Sequence, residues 1–172
     1  MKITVISNRH VHLSRKDADL LFEYELTKIK DLSQPQFATE ECVVLKPKEI
    51  SKVRILPYRK DTQIEVLLDN YKLGINAPVR LSGDLENTPL EIIPNGSITT
   101  KKAIVAQRHI HMNLEEAKEF LENGQIVSVK TEERLIFENV IIRADSKALD
   151  FHIDMEEANA AGVKNNECKI IK

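Results

Sequence analysis

The chain has 172 residues, 42% hydrophobic and 30% charged, which are ordinary proportions for a globular protein with one core or two small ones. Its formal net charge of −2 offers no basic field for nucleic acid or an anionic membrane, so an anionic substrate must be held locally by a metal or a few placed cations. No apolar run approaches the ~20 residues that span a bilayer.

In chain order, short Val- and Ile-rich runs predict strands over 2–7, 41–45, 53–56, 62–68, 79–82, 90–93, 103–107, 126–130, 134–143, 149–153 and 169–171. Turn-forming clusters such as Pro94-Asn95-Gly96 and Asn123-Gly124 separate them. Many short strands at close spacing predict a mainly β protein, as barrels or a sandwich. Three helices interrupt the strands. Each is marked by a cap and an acid three residues on: Ser14 with Asp17, Asn113 with Glu116, and Asp154 with Glu157. The start of the chain enters an alternating strand directly, so no signal or transit peptide is expected and the protein reads as cytoplasmic. Cys42 and Cys168 lack metal-ligand spacing and are expected as free thiols of a reducing compartment.

The chain repeats itself. Arg9-His10-Val11-His12-Leu13-Ser14 precedes a capped helix, and so does Arg108-His109-Ile110-His111-Met112-Asn113. Further on, Thr62-Gln63-Ile64-Glu65-Val66 leads through Asp69 to Gly74, while Leu149-Asp150-Phe151-His152-Ile153 leads through Asp154 to Gly162. This order suggests duplication of an ancestral half.

In an extended strand, residues i and i+2 point to the same side, so both imidazoles of a His-x-His reach one ion. On a helix they would splay ~200° apart. A catalytic zinc takes three protein ligands and keeps one position open. The repeat nominates the third ligands from position: Glu65 in the first half and His152 in the second. A lone acid in a strand is more often a solvated face residue, and the repeat alone selects Glu65. The expected sets are His10, His12, Glu65 and His109, His111, His152, which together use all five histidines of the chain. Imidazole-rich ligation favours zinc over magnesium or calcium.

The motifs 7–14 (Ser-Asn-Arg-His-Val-His-Leu-Ser), 77–85 (Ala-Pro-Val-Arg-Leu-Ser-Gly-Asp-Leu), 108–112 and 152–162 closely resemble those of the propanediol-utilisation-type phosphotransacylases, also called phosphate propanoyltransferases. The resemblance covers essentially the whole chain. It implies interconversion of a short-chain acyl-CoA plus phosphate with an acyl phosphate plus CoA. It implies two six-stranded β-barrels related by duplication, each with a short helix, and two zinc ions per chain between them. One barrel would be residues 1–8 with 103–172, and the other residues 9–102 with a lid near 23–40. The family's ligands map onto the six residues chosen above, and its phosphate-binding arginine maps onto Arg59. The lid motif usually reads Gln-Pro-Gly-Gln; here Gln34-Pro35-Gln36 is one Gly short. Microcompartment members carry an N-terminal targeting helix, and none precedes Lys2, which predicts a cytosolic enzyme open to acetyl-CoA as well as propanoyl-CoA.

On this reading the His10/His12/Glu65 metal takes the CoA sulfur, and phosphate sits against the second metal and Arg59. The expected partners are acyl-CoA, CoA and inorganic phosphate, with no nucleic acid or membrane, and a homodimer as the commonest soluble assembly. A zinc-dependent hydrolase and a non-catalytic metal-binding module are the competing classes.

Overall fold

A computed structural model describes residues 4–32, 36–46, 48–85, 90–93, 98–113, 115, 123–131, 134–144, 149–163 and 167–171. The chain divides into two compact units, residues 8–106 and residues 1–7 with 107–172. Both are built mainly of β-strands.

In the unit of residues 8–106 the elements are β2 (His10–His12), α1 (Arg15–Leu21), β3 (Lys28–Asp31), β4 (Phe37–Thr39), β5 (Cys42–Leu45), β6 (Ile50–Ile55), β7 (Gln63–Val66), a 3-10 turn (Leu68–Leu73), β8 (Val79–Arg80), β9 (Leu90–Ile93) and β10 (Ile98–Ala106). Strand pairing runs β7-β2-β6-β5-β9-β10 and returns from β10 to β7, so six strands form a closed ring with β8 added along β10. Closure removes the exposed edges that an open sheet must otherwise protect. Alternating side chains of these strands fill the interior: Val11, Leu45, Ile55 and Ile64 are fully buried, and Ala18, Leu21 and Phe22 from α1 and its end join the same cluster.

The other unit holds β1 (Thr4–Ser7), β11 (His109–His111), β12 (Ile126–Thr131), β13 (Ile136–Arg143), β14 (Asp150–Asp154), α2 (Met155–Ala161) and β15 (Cys168–Ile171). Its six strands run β1-β14-β11-β13-β12-β15. The first strand of the chain thus lies parallel to β14, with Val5 opposite His152. Phe151, Ile110, Ile142 and Val140 form the centre of its core, closed by Ala158 and Ala161 of α2.

The helix starts differ in detail from the sequence pattern. Asp154 and Glu157 form a complete capping box at α2: Asp154 Oδ1 accepts the Glu157 N–H at 2.8 Å, and Glu157 Oε2 accepts the Asp154 N–H at 3.0 Å. The helix ends at Gly162, whose φ of +72° suits glycine. At α1 only half of the box forms. Ser14 Oγ accepts the Asp17 N–H, but the Ser14 N–H goes to Thr62 Oγ1. Asp17 instead accepts from Thr62 and from Lys101 Nζ, the latter at 2.9 Å, which ties α1 to the residue before β7 and to β10. Most of the helix expected after Asn113 lies outside the described residues. For Asp154→Ala we expect a loss of about 1 kcal/mol, read as a thermal midpoint lower by about 2–4 °C. An unchanged melting curve would contradict the role given to this cap.

Other differences are local. Where a lid was expected near 23–40, β3 and β4 pair as a hairpin; Gln34 and Pro35 are outside the described residues, and Gln36 accepts the Leu32 N–H through its carbonyl. The strand expected at 103–107 begins at Ile98 and ends at Ala106, and the one expected at 79–82 keeps only Val79–Arg80. Cys42 is exposed and Cys168 buried, both as free thiols. No described helix is long and apolar enough to cross a membrane.

Candidate metal and phosphate site

Each His-x-His occupies a three-residue strand between two neighbours. β2 runs parallel to β6 and antiparallel to β7; β11 runs parallel to β13 and antiparallel to β14. The central residues Val11 and Ile110 are completely buried in the two cores, so the flanking histidines share the opposite face. Antiparallel register then supplies the third group. His10 stands opposite Glu65, and His109 stands opposite His152.

Two clusters of ligand-type atoms result, His10/His12/Glu65 and His109/His111/His152, each with its atoms within 4.8 Å of one another. His12, Glu65, His109 and His111 are buried, while His10 and His152 are half-buried. Inside each pair the rings are edge to face at 87°, and His152 stacks on His109 at 14° with centroids 4.7 Å apart.

The hydrogen bonds set the tautomers. A carbonyl only accepts, so His10 Nδ1–H donates to Asn8 O at 2.8 Å, His12 Nδ1–H to Leu56 O at 3.2 Å, and His109 Nδ1–H to Gln107 O at 2.8 Å. In the neutral rings this leaves the Nε2 lone pairs as donors to a cation, the arrangement usual behind metal-bound histidine. His10 Nε2 and His12 Nε2 face each other at 3.1 Å, with Glu65 Oε2 3.2 Å from His10 and Oε1 3.5 Å from His12. Two lone pairs that close need a proton or a cation between them. Two nitrogens bound tetrahedrally at zinc distances would stand roughly 3.3 Å apart. The donor set and its spacing therefore fit a zinc ion.

Protons can do the same work. Burial pushes the His10 pKa down, but the charge and hydrogen bond of Glu65 outweigh it and hold His10 above its ordinary value. Burial dominates at His12, whose pKa is lowered. Burial would raise Glu65, yet His10 and then His12 hold its carboxyl well below the usual carboxylate range.

Arg59 follows β6 and a short connection. Its N–H donates to Leu13 O at 2.9 Å, fixing its backbone beside β2. Its half-buried guanidinium donates from Nη1 to Ser82 Oγ at 2.7 Å, and its charge opposes protonation of both His10 and His12. Arg59 thus stands at the first cluster, where its planar fork can grip an anion.

The sequence reading missed several groups. Gln63 and Ser82 both bond Glu65 Oε1. An arginine next to each histidine pair is anchored by an acid that follows the third ligand: Arg9 to Asp69 at 2.5 Å, and Arg108 to Glu157. The signal for the second group was present, because Arg9 and Arg108 are matched positions of the repeat.

A family model described as phosphate propanoyltransferase matches residues 3–164. The chain belongs to the phosphate propanoyltransferase family. Among curated relatives of that name, the protein of Thermotoga maritima is 48% identical, over 92% of this chain and 83% of its own length. That of Rhodopseudomonas palustris is 49% identical over 94% and 78%, and that of Enterococcus faecalis 49% identical over 91% and 81%. The match spans both histidine clusters, Arg59 and the 77–85 motif of this family member.

Proposed function

We propose that this phosphate propanoyltransferase family member transfers a short-chain acyl group, propanoyl or acetyl, between CoA and inorganic phosphate. Family membership over most of the chain, joined to two metal-ready clusters and an arginine at one of them, is the observation that carries this reading. A phosphate oxygen attacks the thioester carbonyl carbon; the C–O bond forms, the C–S bond breaks, and CoA leaves as the thiolate. The products are acyl phosphate and CoA, and the reverse reaction uses the same groups.

Phosphate is a weak nucleophile, and its charge is repelled by CoA. Arg59 meets both difficulties, since its fork neutralises phosphate charge and holds two oxygens in a fixed orientation. We assign His10, His12 and Glu65 to one zinc and His109, His111 and His152 to a second, giving two Zn2+ per chain. Zinc bound at these clusters supplies Lewis-acid stabilisation of the carbonyl oxygen and a soft partner for the leaving sulfur. The backbone carbonyls of Asn8, Leu56 and Gln107 keep the histidines in the ligating tautomer. The matched registers of β2 with β7 and β11 with β14 support our reading of the two units as products of a duplication.

Metal uptake carries a pH signature. His10 has its pKa raised, so below that raised value a proton must leave when zinc binds. Affinity at this cluster is therefore expected to be full above that raised value and to fall, by up to about tenfold per unit, as the pH drops through and below it, a transition that lies above the ordinary histidine range. Chelator competition across that range measures it, and a flat profile would contradict the assignment of His10 as a ligand.

The reaction itself is tested by following free thiol from propanoyl-CoA and acetyl-CoA with and without phosphate. Phosphate-dependent release is the expected result. Release without phosphate would identify a thioesterase, and no release at all would point to a metal-binding module.

A further inference from the structure

The two oxygens of Glu65 stand in different surroundings. Oε2 lies 3.2 Å from His10 Nε2, while Oε1 stands farther from the histidine pair, 3.5 Å from His12 Nε2. Oε1 accepts Gln63 Nε2 at 2.5 Å and Ser82 Oγ at 2.9 Å, which uses its two lone pairs. The Gln63 amide has no freedom to turn round. Its own oxygen accepts the Gly83 N–H at 2.7 Å, so its NH2 must face the carboxylate, and the side chain is only 1% exposed. Gly83 has φ +103°, a conformation that favours glycine.

Ser82 completes the arrangement. A hydroxyl has one proton and two lone pairs. The proton goes to Glu65, and the lone pairs take Gln63 Nε2 at 2.9 Å and Arg59 Nη1 at 2.7 Å. Its capacity is full. One hydroxyl therefore joins the arginine assigned to phosphate and the carboxylate assigned to the metal.

We propose that Gln63 and Ser82 are positioning residues: they hold Glu65 as a one-oxygen ligand through Oε2, and Ser82 fixes Arg59 to that ligand. The proposal rests on the reading of His10, His12 and Glu65 as a metal cluster. Both donors to Glu65 Oε1 are neutral, so they orient the carboxylate without a fixed charge that would oppose a cation. The amide sets the ligand, and the hydroxyl sets the distance between ligand and arginine.

The test compares the full-length wild type with Gln63→Leu, Ser82→Ala and Ser82→Thr. Zinc affinity is read by competition with a chromophoric chelator, alongside kcat and the KM for phosphate. Gln63→Leu is expected to weaken one of two zinc equivalents by about 10–100-fold while the other is unchanged. Ser82→Ala is expected to raise the KM for phosphate by about tenfold, more than it lowers kcat, and Ser82→Thr to restore it. If circular dichroism shows Gln63→Leu unfolded, the Ser82 pair decides alone. Folded variants with wild-type zinc affinities and phosphate KM would overturn the positioning role and leave the metal reading standing. Failure of threonine to restore Ser82→Ala would trace the effect to packing and also overturn it. A wild type that binds no zinc would overturn the metal reading and this proposal with it.

Discussion

Replacing His152 by alanine is expected to remove one of two zinc equivalents and to lower turnover by roughly 10³-fold. His152 lies on β14 opposite His109, with its ring stacked on that of His109 at 4.7 Å and edge-on to His111 at 4.9 Å. Three neutral imidazoles suffice for a catalytic zinc; two leave the ion weakly held. The magnitude follows from losing preorganised stabilisation of developing charge, where even one missing donor costs about 10²–10³ in rate. The fold should survive, because the buried residues beside it, Phe151 and Ile153, carry the packing of β14. Elemental analysis with a circular dichroism spectrum measures both parts. A folded variant that keeps both metals and its activity would remove His152 from the ligand set.

Arg59→Ala is the second large effect, and its sign is specific. The KM for phosphate is expected to rise about 10–100-fold while zinc content stays at the wild-type level, since a charge-assisted bidentate contact contributes about 1.5–3 kcal/mol. The guanidinium meets the first cluster through Ser82, which is not one of the assigned ligands, and its backbone is anchored separately to Leu13, so its loss is expected to leave the ligands in place. Arg59→Lys should recover little, because an ammonium lacks the planar fork. Loss of zinc from Arg59→Ala, with phosphate KM unchanged, would make Arg59 part of the metal scaffold instead.

The parts of the molecule legible in its sequence are those that repeat at fixed local spacing. His-x-His on a strand states a shared face without further context. Position in the repeat found Glu65 and His152 because the repeat encodes register: each stands directly opposite the first histidine of its pair. The capping box at Asp154 was legible for the same reason, since cap and acid lie three residues apart.

What escaped is non-local. The Glu65 clamp joins Gln63 to Ser82 and Gly83 across 19 and 20 residues, and neither a glutamine nor a serine in a strand-rich chain signals such a role. Asp17 has the position of a capping acid, but Thr62 and Lys101, distant in sequence and close in the fold, take its carboxylate. Closure of the ring depends on β10 pairing with β7 in parallel, and no hairpin signal announces a parallel pair. The segment expected as a lid contains the β3–β4 hairpin, whose β3 residues are all exposed and so lack the alternation that marks a half-buried strand.

On the proposed function phosphate, and not water, receives the acyl group. Phosphorus NMR of the protein incubated with propanoyl-CoA and phosphate tests it most directly. An acyl phosphate resonance is expected to grow in step with free CoA thiol, and to be lost in Arg59→Ala at low phosphate. Propanoate and thiol formed in equal amounts from the start, with no acyl phosphate at any time, would contradict it.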